Sequence, residues 1–196
     1  MLIPYDILRL KTHLGLTSGQ FLGRYTVHHS GPESGLPVVT LKPAASRDLR
    51  CPFVTPEGCS VYEDRPSSCR MYPLARAVSR SRATGEITER FMVIREPHCL
   101  GFDQGTPRTA RQWIEDQKIA VYNENNDKLL RIISLKNKKM PGVLDLQSRH
   151  LFFTALYDLD TLRSRITNSK LPADFPLDSE VMDKVLEDDV ALLELG

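Results

Sequence analysis

The sequence predicts an α+β fold, mostly helical, with a small antiparallel sheet or hairpin around a group of cysteines. Three observations lead there. Apolar residues recur at helical spacing near the N-terminus and again from residue 109 onward. Two β-rich runs flank Ala83-Thr-Gly85 and read as a hairpin. Between the helical regions, Cys51, Cys59 and Cys69 fall among Pro52, Pro56, Gly58, Pro66 and Pro73, with Cys99 following Pro97. Prolines and glycines fix turns and give up backbone freedom in advance, so thiols on such a stretch can be aimed at a common point at low entropic cost.

Taken in order, residues 4–14 form a short helix with Pro4 at its first position and Gly15 as its stop, burying Ile7, Leu10 and Leu14 on one face. A second helix starts at a Thr17–Gln20 capping box, with Leu16 and Phe21 placed as a hydrophobic staple, and runs to Tyr25. Residues 28–35 read as a loop, and Leu36-Pro-Val-Val-Thr-Leu41 as a strand with Pro37 at its start. The hairpin arms are residues 74–82 and 86–95, and Ile87, Phe91 and Val93 share one side of the second arm. Thr109 and Gln112 repeat the capping box ahead of Trp113 and Ile114. Further helices are expected over residues 120–135, 150–166 and 179–195, separated by a basic linker at 136–142 and a proline break at 171–176.

Composition bounds the function. The chain has 196 residues, is 41% hydrophobic and carries a formal net charge of +1, so it can pack a core and is no disordered chain. Charge is unevenly spread: residues 42–82 hold eight Lys and Arg against four Asp and Glu, while residues 171–196 hold one Lys against eight acids. The basic stretch coincides with the cysteines, where cations favour thiolates, although a solvated basic face explains it equally well. The N-terminus lacks the basic and apolar regions of a signal peptide, and no apolar run reaches the roughly 18 residues of a membrane span. The cytoplasm is therefore the expected compartment. In that reducing environment, clustered cysteines point to metal or redox chemistry before structural disulfides.

Seven residues separate Cys51 from Cys59, nine separate Cys59 from Cys69, and twenty-nine separate Cys69 from Cys99. Four thiolates suit a tetrahedral zinc site or an iron–sulfur cluster, but these spacings match neither C-x₂-C zinc knuckles nor ferredoxin runs. Small buried hydrophobes remain the competing reading. His98, next to Cys99, reads as a surface or hydrogen-bonding residue; His28 and His29 as exposed; His13 and His150 as helical residues without a partner ligand in sequence. Glu63 and Asp64, followed by Arg65 and Pro66, suit an ion-paired turn better than an acid–base pair. No Ser-His-Asp pattern, P-loop or G-x-G-x-x-G fingerprint is present.

Together, Cys51-Pro-Phe-Val, Gly58-Cys59-Ser-Val-Tyr-Glu-Asp-Arg-Pro66 and Cys69-Arg-Met-Tyr-Pro73 resemble the YkgJ-type cysteine-cluster family of zinc- or iron-chelating domains. Arg-Pro followed by Cys-Arg-x-Tyr-Pro is the most specific element. The resemblance extends to the first helices and, through His98-Cys99-Leu-Gly-Phe and the Trp113 helix, to about residue 130. Members of that family carry a further C-x-x-C-C group upstream of the first helix, which this sequence lacks. Either translation begins upstream of Met1, or this is a reduced variant with half the ligand set.

The resemblance implies a cytoplasmic, bacterial metal-binding protein in which Cys51, Cys59, Cys69 and Cys99 converge on zinc or iron, including an iron–sulfur cluster. Residues 1–106 would form the cysteine-cluster metal-binding domain, and residues 107–196 a helical region packing on it. An alternative is a metal-dependent or iron–sulfur enzyme of methyl transfer or redox chemistry, since flagellin lysine N-methylases share a similar cysteine group. A third is a zinc-stapled module that uses Arg65, Arg70, Arg76, Arg80 and Arg82 on an acidic protein partner or nucleic acid. Those arginines lack interleaved aromatics beyond Tyr62 and Tyr72, so nucleic acid is the weaker expectation, and no membrane partner is expected.

Overall fold

The computed structural model describes residues 1–32, 35–44, 49–81, 83–103, 105–168 and 178–196, with Ser179 described by its backbone alone. In chain order the helices are α1 (Pro4–His13), α2 (Ser18–Tyr25), α3 (Ser67–Met71), α4 (Ala110–Asp116), α5 (Ala120–Lys139), α6 (Leu146–Leu156), α7 (Leu159–Thr167), α8 (Ser179–Glu187) and α9 (Asp189–Leu195). The strands are β1 (Thr26–Ser30), β2 (Pro37–Leu41), β3 (Val54–Thr55), β4 (Gly58–Cys59), β5 (Leu74–Arg80) and β6 (Ile87–Val93). Each sheet among the described residues is an antiparallel pair: β1 with β2, β3 with β4, β5 with β6. The fold is thus mostly helical α+β, as the sequence predicts. No helix among the described residues is long and apolar enough to cross a membrane.

The chain divides into two compact units, Met1–Pro66 with Asn125–Gly196, and Ser67–Glu124. In the first, α1 turns Ile7, Leu8 and Leu10 inward, and Phe21, Val39, Leu159 and Leu192 are almost wholly buried with them. The Thr17–Gln20 capping box forms: the Gln20 N–H donates to Thr17 Oγ1 at 3.2 Å, and the Thr17 N–H to Gln20 Oε1 at 3.0 Å. A half-buried ion cluster joins three helices. Lys11, 6% exposed, reaches Asp189 at 2.7 Å and Asp160 at 3.4 Å, and Arg163 pairs with both carboxylates. The Ser18 N–H donates to Asp160 at 2.5 Å, which adds α2 to the cluster.

Several elements differ from expectation, each for a local reason. Residues 26–30 form β1 where a loop is expected at 28–35, because β2 offers a partner edge in register His28 opposite Val39, and the Gly31 N–H donates to the Leu36 carbonyl at 2.8 Å. Helix α5 continues past Leu135 to Lys139, since the Lys136 stem is buried and its ammonium caps the Gly142 carbonyl instead of entering solvent. The single helix expected at 150–166 is two, because Asp158 accepts the Thr161 N–H and starts α7 afresh. Asp188 does the same between α8 and α9 by accepting the Val190 and Ala191 N–H groups. The proline break at 171–176 lies outside the described residues.

The second unit holds α3, the β5–β6 hairpin, α4 and the first turn of α5. The hairpin forms with Leu74 opposite Val93, and its predicted inner side is half-buried at Ile87 and Phe91 but exposed at Val93. The Thr109–Gln112 capping box starts α4 as predicted.

Candidate metal centre

In the first unit, Cys51 opens a turn whose carbonyl accepts the Val54 N–H at 3.2 Å, and Cys59 closes the miniature hairpin opposite Val54. Phe53, 3% exposed, anchors that hairpin against the Tyr25 ring at 5.0 Å between centroids. Gly58 permits the return, with φ of 125° that a side chain would strain. Cys51 is exposed and Cys59 half-buried, and both are free thiols.

Beyond Cys59 the chain is clamped to α1. Arg9 Nε donates to Asp64 Oδ1 at 2.8 Å, His13 Nδ1 lies 2.9 Å from Asp64 Oδ2, and His13 Nε2 lies 3.2 Å from the Ser60 carbonyl. Burial alone would raise the Asp64 carboxyl, but hydrogen bonds from Arg9 and His13 outweigh it and hold the pKa below its ordinary value. The ion pairing expected at this turn is present at Asp64, with partners from α1. Arg65 lays its guanidinium over the Tyr62 ring at 3.8 Å and donates to the Tyr62 carbonyl.

In the second unit, Cys69 is exposed on α3 and the neighbouring motif residues are spent on structure. Arg70, 5% exposed, donates to the Gln117 carbonyl at 2.9 Å and stacks over Tyr122 at 4.8 Å. The Met71 carbonyl accepts the Trp113 indole N–H at 3.1 Å. The Ile94 N–H donates to the Pro73 carbonyl at 2.8 Å, so the chain leaving β6 passes beside Tyr72 and then turns at Glu96–Cys99, where the Cys99 N–H donates to the Glu96 carbonyl at 3.0 Å. Half-buried Cys99 is also a free thiol. The Tyr72 hydroxyl oxygen is sealed from solvent and has no hydrogen-bond partner among the described residues. The neighbouring Cys99, then burial, then Glu96 raise its pKa above the ordinary phenol value. A cavity of about 570 Å³ adjoins this turn, lined by Pro73, Val93, Arg95, Phe102 and Trp113 among others.

The remaining sequence candidates are placed as follows. His98 is exposed and 3.6 Å from Glu96; His28 and His29 are exposed on β1; His150 faces Arg165 at 3.1 Å. Of the basic module, Arg76 is largely covered and paired with Glu89 at 2.8 Å, Arg80 donates to the Gly85 carbonyl, and Arg82 lies outside the described residues. Among the described residues, no three or more His, Cys, Asp or Glu side chains are gathered where they could hold a metal ion. The donor chemistry nevertheless fits a soft or borderline ion: four cysteines outside any disulfide, none of them fully buried.

A family model described as "CxxCxxCC: Putative zinc- or iron-chelating domain" matches residues 2–100. The chain belongs to that family. The matched span contains all four cysteines, from the hairpin of Cys51 and Cys59 to the turn at Cys99. No curated protein and no solved structure matches the chain. The cysteines depart from the spacing in the family's name, since even the nearest pair is separated by seven residues. The sequence reading missed the Arg9–Asp64–His13 clamp. The clamp leaves no local pattern, being a contact across fifty-one positions for His13.

Proposed function

We propose that this protein binds zinc or iron through the thiolates of Cys51, Cys59, Cys69 and Cys99, as a single centre in a reducing compartment, the cytoplasm. The observation that carries the reading is the match to a zinc- or iron-chelating family across a span holding four cysteines outside any disulfide. Four thiolates satisfy zinc in tetrahedral geometry and are equally the usual ligand set of an iron–sulfur cluster, so the reading covers both metals. When bound, the metal supplies a cross-link among chain segments far apart in sequence, or an electron if it is a cluster. The chain's own residues supply the turns that carry the sulfurs.

Elemental analysis of protein purified without oxygen tests this. Zinc protein is colourless, while an iron–sulfur protein is brown with visible charge-transfer absorption and acid-labile sulfide. Cys59→Ser and Cys69→Ser should each strip the metal. Full metal content in both variants refutes shared ligation.

A further inference from the structure

The cavity of about 570 Å³ lies wholly within the second unit, and its size is within the roughly 300–1,000 Å³ of small-molecule sites. Its walls are largely apolar: Leu74, Val93, Phe102 and Trp113 line it, and Val93 stays 56% exposed instead of being covered by the unit's own chain. Two cations, Arg95 and Arg108, stand at the same cavity, and no Asp or Glu lines it among the described residues. The Arg95 guanidinium lies 4.9 Å from the Phe102 ring centroid and meets no hydrogen-bond acceptor or carboxylate among the described residues. Arg108 gives one nitrogen to Asp116 at 2.5 Å, an exposed pair of small worth that leaves its other donors open.

We propose that this cleft binds a small organic anion, with a flat apolar body against Phe102 and Trp113 and one carboxylate or phosphate held by Arg95 and Arg108. No cysteine and no metal takes part, so the site stands apart from the metal centre proposed above. A guanidinium stacked on a ring keeps its planar fork directed and is weakly hydrated, so it takes a carboxylate or phosphate in paired hydrogen bonds. An apolar wall beside such cations favours an anion that carries a ring, because the ring buries area that a bare anion lacks. Nucleic acid needs a track of cations along its backbone, and two arginines in one cleft make no track.

Trp113 is the chain's single tryptophan, and its indole N–H is fixed on the Met71 carbonyl, so tryptophan emission reports on this cleft. The full chain, as purified, is titrated with benzoate, phenyl phosphate, acetate, inorganic phosphate and benzamide, the uncharged counterpart of benzoate. Benzoate or phenyl phosphate should change the emission saturably, binding at least about tenfold more tightly than benzamide and more tightly than acetate or inorganic phosphate. The tighter of the two names the head group. Arg95→Gln should weaken that binding at least about tenfold and leave benzamide unaffected. Phe102→Leu should narrow the preference for benzoate over acetate. Far-UV circular dichroism checks that each variant keeps its fold. An anion held by a bound metal would ignore Arg95→Gln, so wild-type affinity in that variant overturns the proposal. So does benzamide binding as tightly as benzoate, or the absence of any saturable change with either aromatic anion.

Discussion

The two compact units are built on different interiors. Residues 1–66 with 125–196 bury Leu10, Phe21, Val39, Ile166 and Leu192 behind an ion cluster that joins α1, α7 and α9. Residues 67–124 bury far less: Met71, Ile119 and Tyr122 are their buried apolar side chains among the described residues, and Arg70 stands in the same small interior. Most of the β5–β6 hairpin faces solvent. An interior this thin supplies at most a few kcal/mol, and small units of this kind ordinarily depend on a staple such as a disulfide or a metal. Neither cysteine of this unit is in a disulfide, so no disulfide serves. The contrast teaches where a metal would matter for folding as well as for function.

Metal removal is the largest lever on that contrast. Stripping the protein with a strong chelator should raise amide hydrogen exchange across β5, β6 and α4 toward unprotected rates, with α1, α7 and α9 keeping their protection. Cys99→Ser should reproduce the pattern without chelator. Equal loss of protection in both units would break the comparison and show that the larger core depends on the metal too.

A smaller effect acts on the other side. Burial would raise the carboxyls of Asp160 and Asp189, but Ser18 and Lys11 at Asp160, and Lys11 and Arg163 at Asp189, prevail and hold both below the ordinary value. Groups lowered on folding stabilise the native state above their unfolded pKa, near 4, and that stability is lost as pH falls through their folded values. Denaturant melts followed through exchange in α1 and α7 should therefore weaken as pH drops below about 4. Asp189→Asn should flatten that dependence and cost about 1–3 kcal/mol at neutral pH, because it leaves Lys11 buried and short of a charge partner. An unchanged acid slope in Asp189→Asn would remove the cluster from the account of this unit's stability.

The parts of this fold legible in sequence are those specified locally. Both Thr-x-x-Gln capping boxes, Pro4 at the start of α1 and the Ala83-Thr-Gly85 turn are complete signals within four residues, and each forms. The breaks at Asp158 and Asp188 were illegible because a mid-helix aspartate and an N-cap aspartate look alike until the backbone N–H groups it serves are known. Strand β1 was illegible for the opposite reason, since Thr26-Val-His-His-Ser30 has no apolar alternation and owes its shape to β2. At the candidate site, the cysteines and the Arg-Pro and Cys-Arg-Met-Tyr-Pro motifs were readable. The tasks of Arg65 and Arg70 were not, because guanidinium stacking on Tyr62 and Tyr122 is a tertiary event.

The two capping boxes offer the finest probe of the contrast, because the same chemistry occurs once in each unit. Thr17 and Thr109 make matching pairs of hydrogen bonds with Gln20 and Gln112. Thr17→Ala and Thr109→Ala should each cost about 1 kcal/mol locally. The local cost is equal, but the units start from different reserves. A loss of that size raises the open population roughly fivefold in either unit, which is visible only where opening is already frequent. Thr109→Ala in metal-depleted protein should therefore bring a measurable rise in protease cleavage within residues 67–124, whereas Thr17→Ala leaves the larger unit resistant. If Thr17→Ala proves as costly to protease resistance as Thr109→Ala, the larger core is no deeper in free energy than the small one, however many side chains it buries.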